Sequence, residues 1–409
     1  MSKPADNADL LKQLMDSSPD NIFFKDRDHR FIMINQANAR WFGFRDPQEV
    51  IGKTDFDLFE EEFAQQAQSD EERIMETGEP MLGDEEQTLH NGEVVWGHVT
   101  KVPLRDGDGN IIGIIGIGRD ITRLKRKELE LAETNRKLNE AKLQIETDLQ
   151  MAAKLQQTFL PQSYPAFISD NGVSLLDIQH YYKADVELGG DFCAIYRLSD
   201  TRAGLLICDV MGHGVRAALV TGIIRSFAEE LAQKAETPGA YLSGLNEKLY
   251  PILRSENNFI FATACYLEID VSTGELTGAL AGHTLPYLIR ATAGQASLFS
   301  IDKELLGPAL AITEGYPYRN FCIALEPGDK VLTYTDGICE AVNPDGLEFG
   351  EQHFQQTLQA HCRFPIKELI EQTLDEVEHF THKHQLGDDI CLIGFSLNGL
   401  IETQSLPRS

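Results

Sequence analysis

Residues 205–220 read LLICDVMGHGVRAALV, and everything else in the chain can be placed around them. Leu205, Leu206, Ile207 and Cys208 make a short apolar run with strand character, and Val215 to Val220 opens a segment with helical spacing. Between them Asp209, Gly212, His213 and Gly214 demand a tight turn, where glycine reaches backbone conformations closed to other residues. An acid at the end of a buried strand, just before such a turn, is held rigidly at a domain edge. Magnesium and manganese want carboxylate oxygens in fixed geometry, which makes Asp209 a candidate ligand. A glycine turn capped by an aspartate produces the same short motif, so the rest of the chain has to decide.

Three further motifs share that setting. ELGGDF carries Asp191, LTYTDGICEAVN carries Asp336 at the end of the apolar run KVLTY, and LGDDICLIGF carries Asp388 and Asp389 before another apolar run. Each alone is ordinary turn chemistry, since Asp and Gly are the usual turn residues. Together, in a chain without a Cys or His cluster, they suggest one carboxylate centre for two divalent cations.

Composition narrows the function classes. A chain of 409 residues is long enough for two or three domains with their own cores. Its net charge of −28 argues against nucleic acid and anionic membrane as partners, because both demand a basic footprint. All seven cysteines (Cys193, Cys208, Cys265, Cys322, Cys339, Cys362, Cys391) fall in the second half, with no C-x-x-C pair. That usage points to a reducing, cytoplasmic compartment without a zinc site or disulfide framework. The start MSKPADNADLL has no signal-peptide core, and no apolar run has the length of a membrane span.

Upstream, Asp9 to Asp16 reads as a short helix. Ile22–Lys25 and Arg30–Asn35 read as strands around a polar DRDH turn, and Asn38 to Phe42 begins a helical stretch. EVVWGHVTKVPL and NIIGIIGIGRDIT are two more strands, separated by the turn RDGDGN. The order predicts a small α+β domain with an antiparallel sheet. SPDNIFFKD, INQANARWFGF, GKTDFDLF and VPLRDGDGNIIGIIGIGRDIT together resemble a PAS domain of the PAS/PAC type. The resemblance implies a sensor or dimerisation module whose ligand is unknown. It contains no cysteine, so a flavin–cysteine adduct is ruled out. His29, His90 and His98 are the histidines a haem would use, though a strand or surface histidine needs no such ligand.

The connector, residues 121–160, carries Leu124, Leu131, Leu138, Ile145, Ala152 and Phe159 at a seven-residue repeat. Ile121, Glu128, Asn135, Lys142, Leu149 and Gln156 occupy the second seam position. A strict heptad predicts a supercoiled helix rather than one lying on its own domain, and Asn135 suits a two-stranded coil. The expectation is a parallel homodimer through residues 121–160, with the helix passing the state of the first domain to the second.

The last domain carries the strongest resemblance. The series GGDF, DVMGHG with a following AAL helix, AGHTLPYLI, LLGPALAI, LEPGDKVLTYTDGICEAVNPDGLEFG and GDDICLI resembles the SpoIIE/RsbU branch of the metal-dependent PPM protein phosphatases. So does AAKLQQTFLP, just ahead of it. The resemblance implies an α-β-β-α sandwich of two antiparallel sheets. It implies hydrolysis of protein phosphoserine or phosphothreonine with two Mn or Mg ions, and a phosphorylated anti-anti-sigma (STAS) protein as substrate. Residue by residue it assigns metal-ligand roles to Asp191, Asp209, Asp336 and Asp388, with Asp209 bridging and the Val210 carbonyl contacting metal. His213 and His283 are candidate helpers or proton donors. Arg216 and Arg225 are candidate phosphate binders by nearness to the second motif. Ala194 stands where the family often has a second Asp, Cys391 replaces the usual Thr of D-D-x-T, and Arg216 stands where many relatives have Pro.

The whole chain is therefore expected to be α+β: a PAS domain over 1–120, a coiled-coil helix over 121–160, a PPM domain over 161–398 and a tail over 399–409. Two other enzymes fit less well. Gly189-Gly190-Asp191-Phe192 mimics the GGDEF of diguanylate cyclases, but the Glu is missing and the TDG and GDD motifs stay unexplained. A sensor histidine kinase needs a histidine just after the coil, and residues 121–179 have none. A catalytically silent phosphoprotein-binding scaffold of the same fold is the non-enzyme alternative.

Overall fold

The computed structural model describes residues 7–90, 93–255, 258–382 and 387–401. The chain divides into two compact units, Met1–Lys142 and Leu143–Ser409. The division falls inside one long helix.

In the first unit, α1 (Asn7–Ser17) precedes β1 (Asn21–Asp26) and β2 (Phe31–Ile34). Next come α2 (Gln36–Trp41), α3 (Glu61–Thr77), β3 (Met81–His90), β4 (Glu93–Arg105) and β5 (Ile111–Asp120). The strands form one antiparallel sheet in the order β2-β1-β5-β4-β3. Helix α2 begins earlier than the expected Asn38, because the Asn35 side chain accepts from the Asn38 N–H and caps it. Sequence reading passed over β3. Its MLGDEEQTLH lacks apolar alternation because it is the outer strand, where charge discourages further pairing. Of the histidines considered for haem, His29 is engaged by Glu71 through Nδ1 at 2.8 Å and His98 is exposed. The side chain of His90 lies outside the described residues, as do residues 402–409 of the tail.

Helix α4 (Thr122–Gln157) is unbroken over 36 residues. Leu124, Leu131, Leu138 and Ile145 are each at least 60% exposed in the single chain. The seam ends sooner than expected. Gln156 is 7% exposed and hydrogen-bonds Gly189 and Thr221, while Phe159 packs into the core cluster of α5 and α6, the helices described next. Both residues obey the heptad by spacing, but they belong to the core of the second unit.

The second unit has strands β6 (Leu176–Lys183), β7 (Asp191–Arg197), β8 (Arg202–Val210), the short pair β9 (Arg254–Ser255) and β10 (Asn258–Phe259), and β11 (Ala262–Asp270). There follow β12 (Glu275–Ala281), β13 (Tyr287–Arg290), β14 (Gln295–Leu298), β15 (Leu306–Gly307), β16 (Phe321–Ala324), β17 (Lys330–Tyr334) and β18 (Ile390–Leu397). Its helices are α5 (Val215–Ala232), α6 (Pro238–Leu253), α7 (Gly350–Ala360) and α8 (Ile366–Thr381). One sheet runs β15-β12-β11-β8-β7 with β16 also on β12, and the other runs β14-β13-β17-β18-β6. Pairing is antiparallel except for the two-residue β12–β15 contact.

The layers explain why LLIC is continuous rather than alternating. Leu205 and Ile207 face the core between the sheets, with Ile178, Leu267, Val331 and Ile393. Leu206 and Cys208 face the other way, onto Ala217 and Ile224 of α5 and Leu245 of α6. A strand buried on both faces has no polar side to show. On the outer face of the second sheet, Tyr287, Leu332 and Tyr334 pack against Phe354 of α7 and Leu369 of α8. The result is helices, sheet, sheet, helices: the α-β-β-α sandwich expected from the sequence.

Candidate active site

The acids gather where corresponding ends of the two sheets meet. Asp191 opens β7 and lies directly opposite Asp209 at the end of β8. Asp336 begins the single helical turn after β17, and Asp388 comes two residues before β18, the neighbour of β17. Val210, fully buried, ends β8, and its carbonyl oxygen stands 2.6 Å from where a Cβ on Gly190 would be. That oxygen leaves no room for a side chain at Gly190, which accounts for the second glycine of GGDF. Gly212 and Gly214 have φ of +85° and +81°, so the turn after Asp209 does use the left-handed backbone expected of it.

Thr335 ties the two sheets together. Its Oγ1 donates to Asp191 Oδ2 at 2.6 Å and accepts from the Cys391 N–H at 2.9 Å. Asp389 is a second brace: its carboxylate accepts from the N–H of Asp185 at 2.9 Å and of Gly190 at 2.5 Å. Sequence reading missed Thr335. Its only signal was position, immediately before Asp336 at a strand end. Replacing Thr335 by Val removes the donor to a buried carboxylate and orphans the Cys391 N–H. The second unit should lose about 1–3 kcal/mol in urea unfolding, and Thr335→Ser should restore most of it.

The electrostatics are those of crowded carboxylates. Burial pushes Asp209 up to about 7, helped by the like charges of Asp336, Asp388, Asp389 and Glu340. Burial and Asp209 raise Asp191 well above the usual carboxylate range, against the Thr335 hydrogen bond. Burial and Asp388 raise Asp336. Glu340, from the same LTYTDGICEAVN motif, is raised by burial and by Asp336, and joins the rim as an acid that sequence reading did not single out. Among the described residues no three His, Cys, Asp or Glu side chains close into a tight set. The acids form an open rim. Its donors are carboxylates and a backbone carbonyl, which suits a hard cation and not zinc or copper.

The remaining candidates separate. His283 is 8% exposed, hydrogen-bonds Thr263 at 2.7 Å, and is driven down to about 4 by burial. It is neutral near pH 7 and cannot serve there as an imidazolium acid. His213 and Arg216 are exposed. Arg225 is turned to the end of the connector: its guanidinium donates to the Thr158 carbonyl at 2.8 Å and lies over the Phe159 ring. Its place near the second motif does not make it a phosphate ligand. Ala194 packs in the helix-facing core, and the Cys391 thiol is buried between the sheets while its backbone carries the Thr335 bonds.

Residues 199–398 match the model of stage II sporulation protein E (SpoIIE), and residues 15–126 match a PAS fold. The chain joins a PAS fold to a SpoIIE-type domain. Phosphoserine phosphatase RsbP of Bacillus subtilis (strain 168) is 27% identical over 253 residues, covering 62% of this chain and 58% of RsbP. Phosphoserine phosphatase RsbU of the same organism is 25% identical over 250 residues, covering 61% of this chain and 70% of RsbU. The chain thus spans less than two thirds of RsbP. The SiaA-PP2C domain of Pseudomonas aeruginosa superposes with a TM-score of 0.53 at 22% identity, over 63% of this chain and 98% of that domain. The likeness identifies the fold of the SpoIIE-type domain as PP2C-like.

Proposed function

We propose that this chain is a metal-dependent serine/threonine phosphoprotein phosphatase whose SpoIIE-type domain is controlled by its PAS domain. The observation that carries the reading is the convergence of Asp191, Asp209, Asp336 and Asp388, from four separate motifs, on one rim. Among the described residues no lysine or arginine pairs with any of them. Similarity to the phosphoserine phosphatases RsbP and RsbU supports the reaction class. Asp191, Asp209, Asp336, Asp388 and the Val210 carbonyl would hold two Mn or Mg ions, which supply water activation and charge neutralisation at phosphorus. The residues themselves fix position: Thr335 orients Asp191, and Asp389 holds the Gly190 backbone that precedes it.

The substrate we infer is a phosphorylated STAS protein, in a cytoplasmic partner-switching pathway. No helix among the described residues is long and apolar enough to cross a membrane. The exposed leucines of α4 support a parallel homodimer through residues 121–160. The decisive assay is phosphate release from a phosphoserine STAS protein with the full-length chain, with and without manganese. Manganese-dependent release supports the proposal. No release with bound metal favours the silent scaffold.

Gln156 gives the connector a direct hold on this site. Its amide brackets Gly189, donating to the carbonyl at 2.7 Å and accepting from the N–H at 3.2 Å. Gln156→Leu should lower turnover by about 10–100-fold, the usual effect of losing a group that orients a ligand. Steady-state kinetics would check it, with manganese titrated to saturation. A fragment that begins at residue 160 lacks Gln156 together with Phe159 of the core, and should lose at least as much.

A further inference from the structure

The first unit holds a partly open cavity of about 90 Å³ between its sheet and helices α2 and α3. Two kinds of wall meet there. Phe23, Trp41, Phe59 and Phe63 supply apolar lining, and Lys25, Lys101, Asp55, Glu71 and Glu86 supply charged lining. Lys101, on β4, is 3% exposed, and its Nζ has no hydrogen-bond partner among the described residues. Glu86 Oε1 stands 3.6 Å away, an ion-pair distance without a hydrogen bond. The other lysine of the cavity, Lys25, is fully engaged by Asp55 and Glu71. The fold therefore saturates one buried ammonium and leaves the three donors of the other open. A buried ammonium without acceptors costs free energy that a bound acceptor recovers.

We propose that this cavity binds a short-chain monocarboxylate, with the carboxylate on Lys101 Nζ and the alkyl end against the aromatic wall. Size restricts the ligand. The volume is smaller than the ~150 Å³ cavity that admits benzene. Acetate, propionate, pyruvate and butyrate are of the right order, whereas haem and flavin are far too large. The aromatic wall selects an apolar tail over a polyol. Burial raises Glu86, against the pull of Lys101, and Glu86 competes with an incoming anion for that ammonium.

The test titrates the four acids into the full-length chain by calorimetry and by tryptophan fluorescence, since Trp41 lines the cavity. Saturable binding of at least one acid is expected, with propionamide binding about tenfold or more weakly than propionate. Lys101→Met should weaken carboxylate binding by about tenfold or more while the circular dichroism stays native. Glu86→Gln, which keeps Lys101 and removes the competing acid, should bind more tightly than wild type. The proposal is overturned if none of the acids binds, if propionamide equals propionate, if natively folded Lys101→Met binds like wild type, or if Glu86→Gln binds more weakly.

Discussion

Asp209→Asn should reduce phosphate release by about a thousandfold while making the metal-free domain more stable above neutral pH. The loss follows from the proposed bridging role: a cation's charge stabilisation is worth several kcal/mol, and about 1.4 kcal/mol is tenfold in rate. The stability gain follows from the charge state. Burial first, and then four neighbouring acids, lift Asp209 from 3.8 to about 7. A group raised in the folded state contributes stability below its unfolded pKa and loses it as pH climbs through the folded value. Above pH 7 the wild-type side chain is forced to ionise among like charges, and asparagine is spared this. Thermal unfolding with chelator should therefore give a higher midpoint for Asp209→Asn at pH 8, and midpoints that converge toward pH 4, near the unfolded value of 3.8. Unchanged turnover would remove Asp209 from the site. A lower midpoint at both pH values would make it a structural hydrogen-bonding group instead.

Lys25→Met should destabilise the PAS unit by about 3–5 kcal/mol, because it leaves buried carboxylates without their cation. Lys25 is 1% exposed; its Nζ binds Asp55 and lies 2.6 Å from Glu71 Oε1, and its ammonium sits over the Phe31 ring at 4.6 Å. Burial raises Asp55. Burial would also raise Glu71, but His29 and Lys25 outweigh it and hold Glu71 low. In the wild type, Glu71 therefore adds stability above its unfolded pKa and loses it as pH falls. Without Lys25, Asp55, already raised by burial, loses the cation that holds it down and rises further, so the variant should recover toward low pH, where protonation removes the unpaired charge. Urea unfolding of the full-length chain at pH 5 and pH 8, followed by tryptophan fluorescence, measures both effects. A variant that loses less than about 1 kcal/mol at pH 8 would mean that water reaches the cluster. His29 adds a smaller, opposite contribution. It is raised by the Glu71 hydrogen bond, so its share is present below 6.5 and lost as pH rises.

Much of this molecule was legible along the chain. Apolar runs bordered by Asp and Gly marked the strands that begin or end beside Asp191, Asp209, Asp336 and Asp388. The continuous LLIC run marked a strand buried on both sides. These are local patterns, and a strand or helix buries its face wherever it lies in the fold. The polar outer strand β3 left no such pattern, since it has little apolar face to bury.

What only the tertiary structure decided is which polar side chains meet. Thr335 reaches Asp191 across 144 positions, Gln156 reaches Gly189, and Lys25 reaches Glu71 across 46. The sequence by itself determined the strand and helix runs, the heptad helix and the order of the acids, because periodicity and turn chemistry are written over a few neighbouring residues; the two folds followed from the resemblance of the motif series to known families. It was silent on Gln156, which satisfies the heptad spacing yet is buried against a loop, and on Lys101, whose donors the fold leaves open. A hydrogen bond depends on a separation of about 3 Å between atoms, and for residues this far apart in the chain only the packing of sheets and helices sets it.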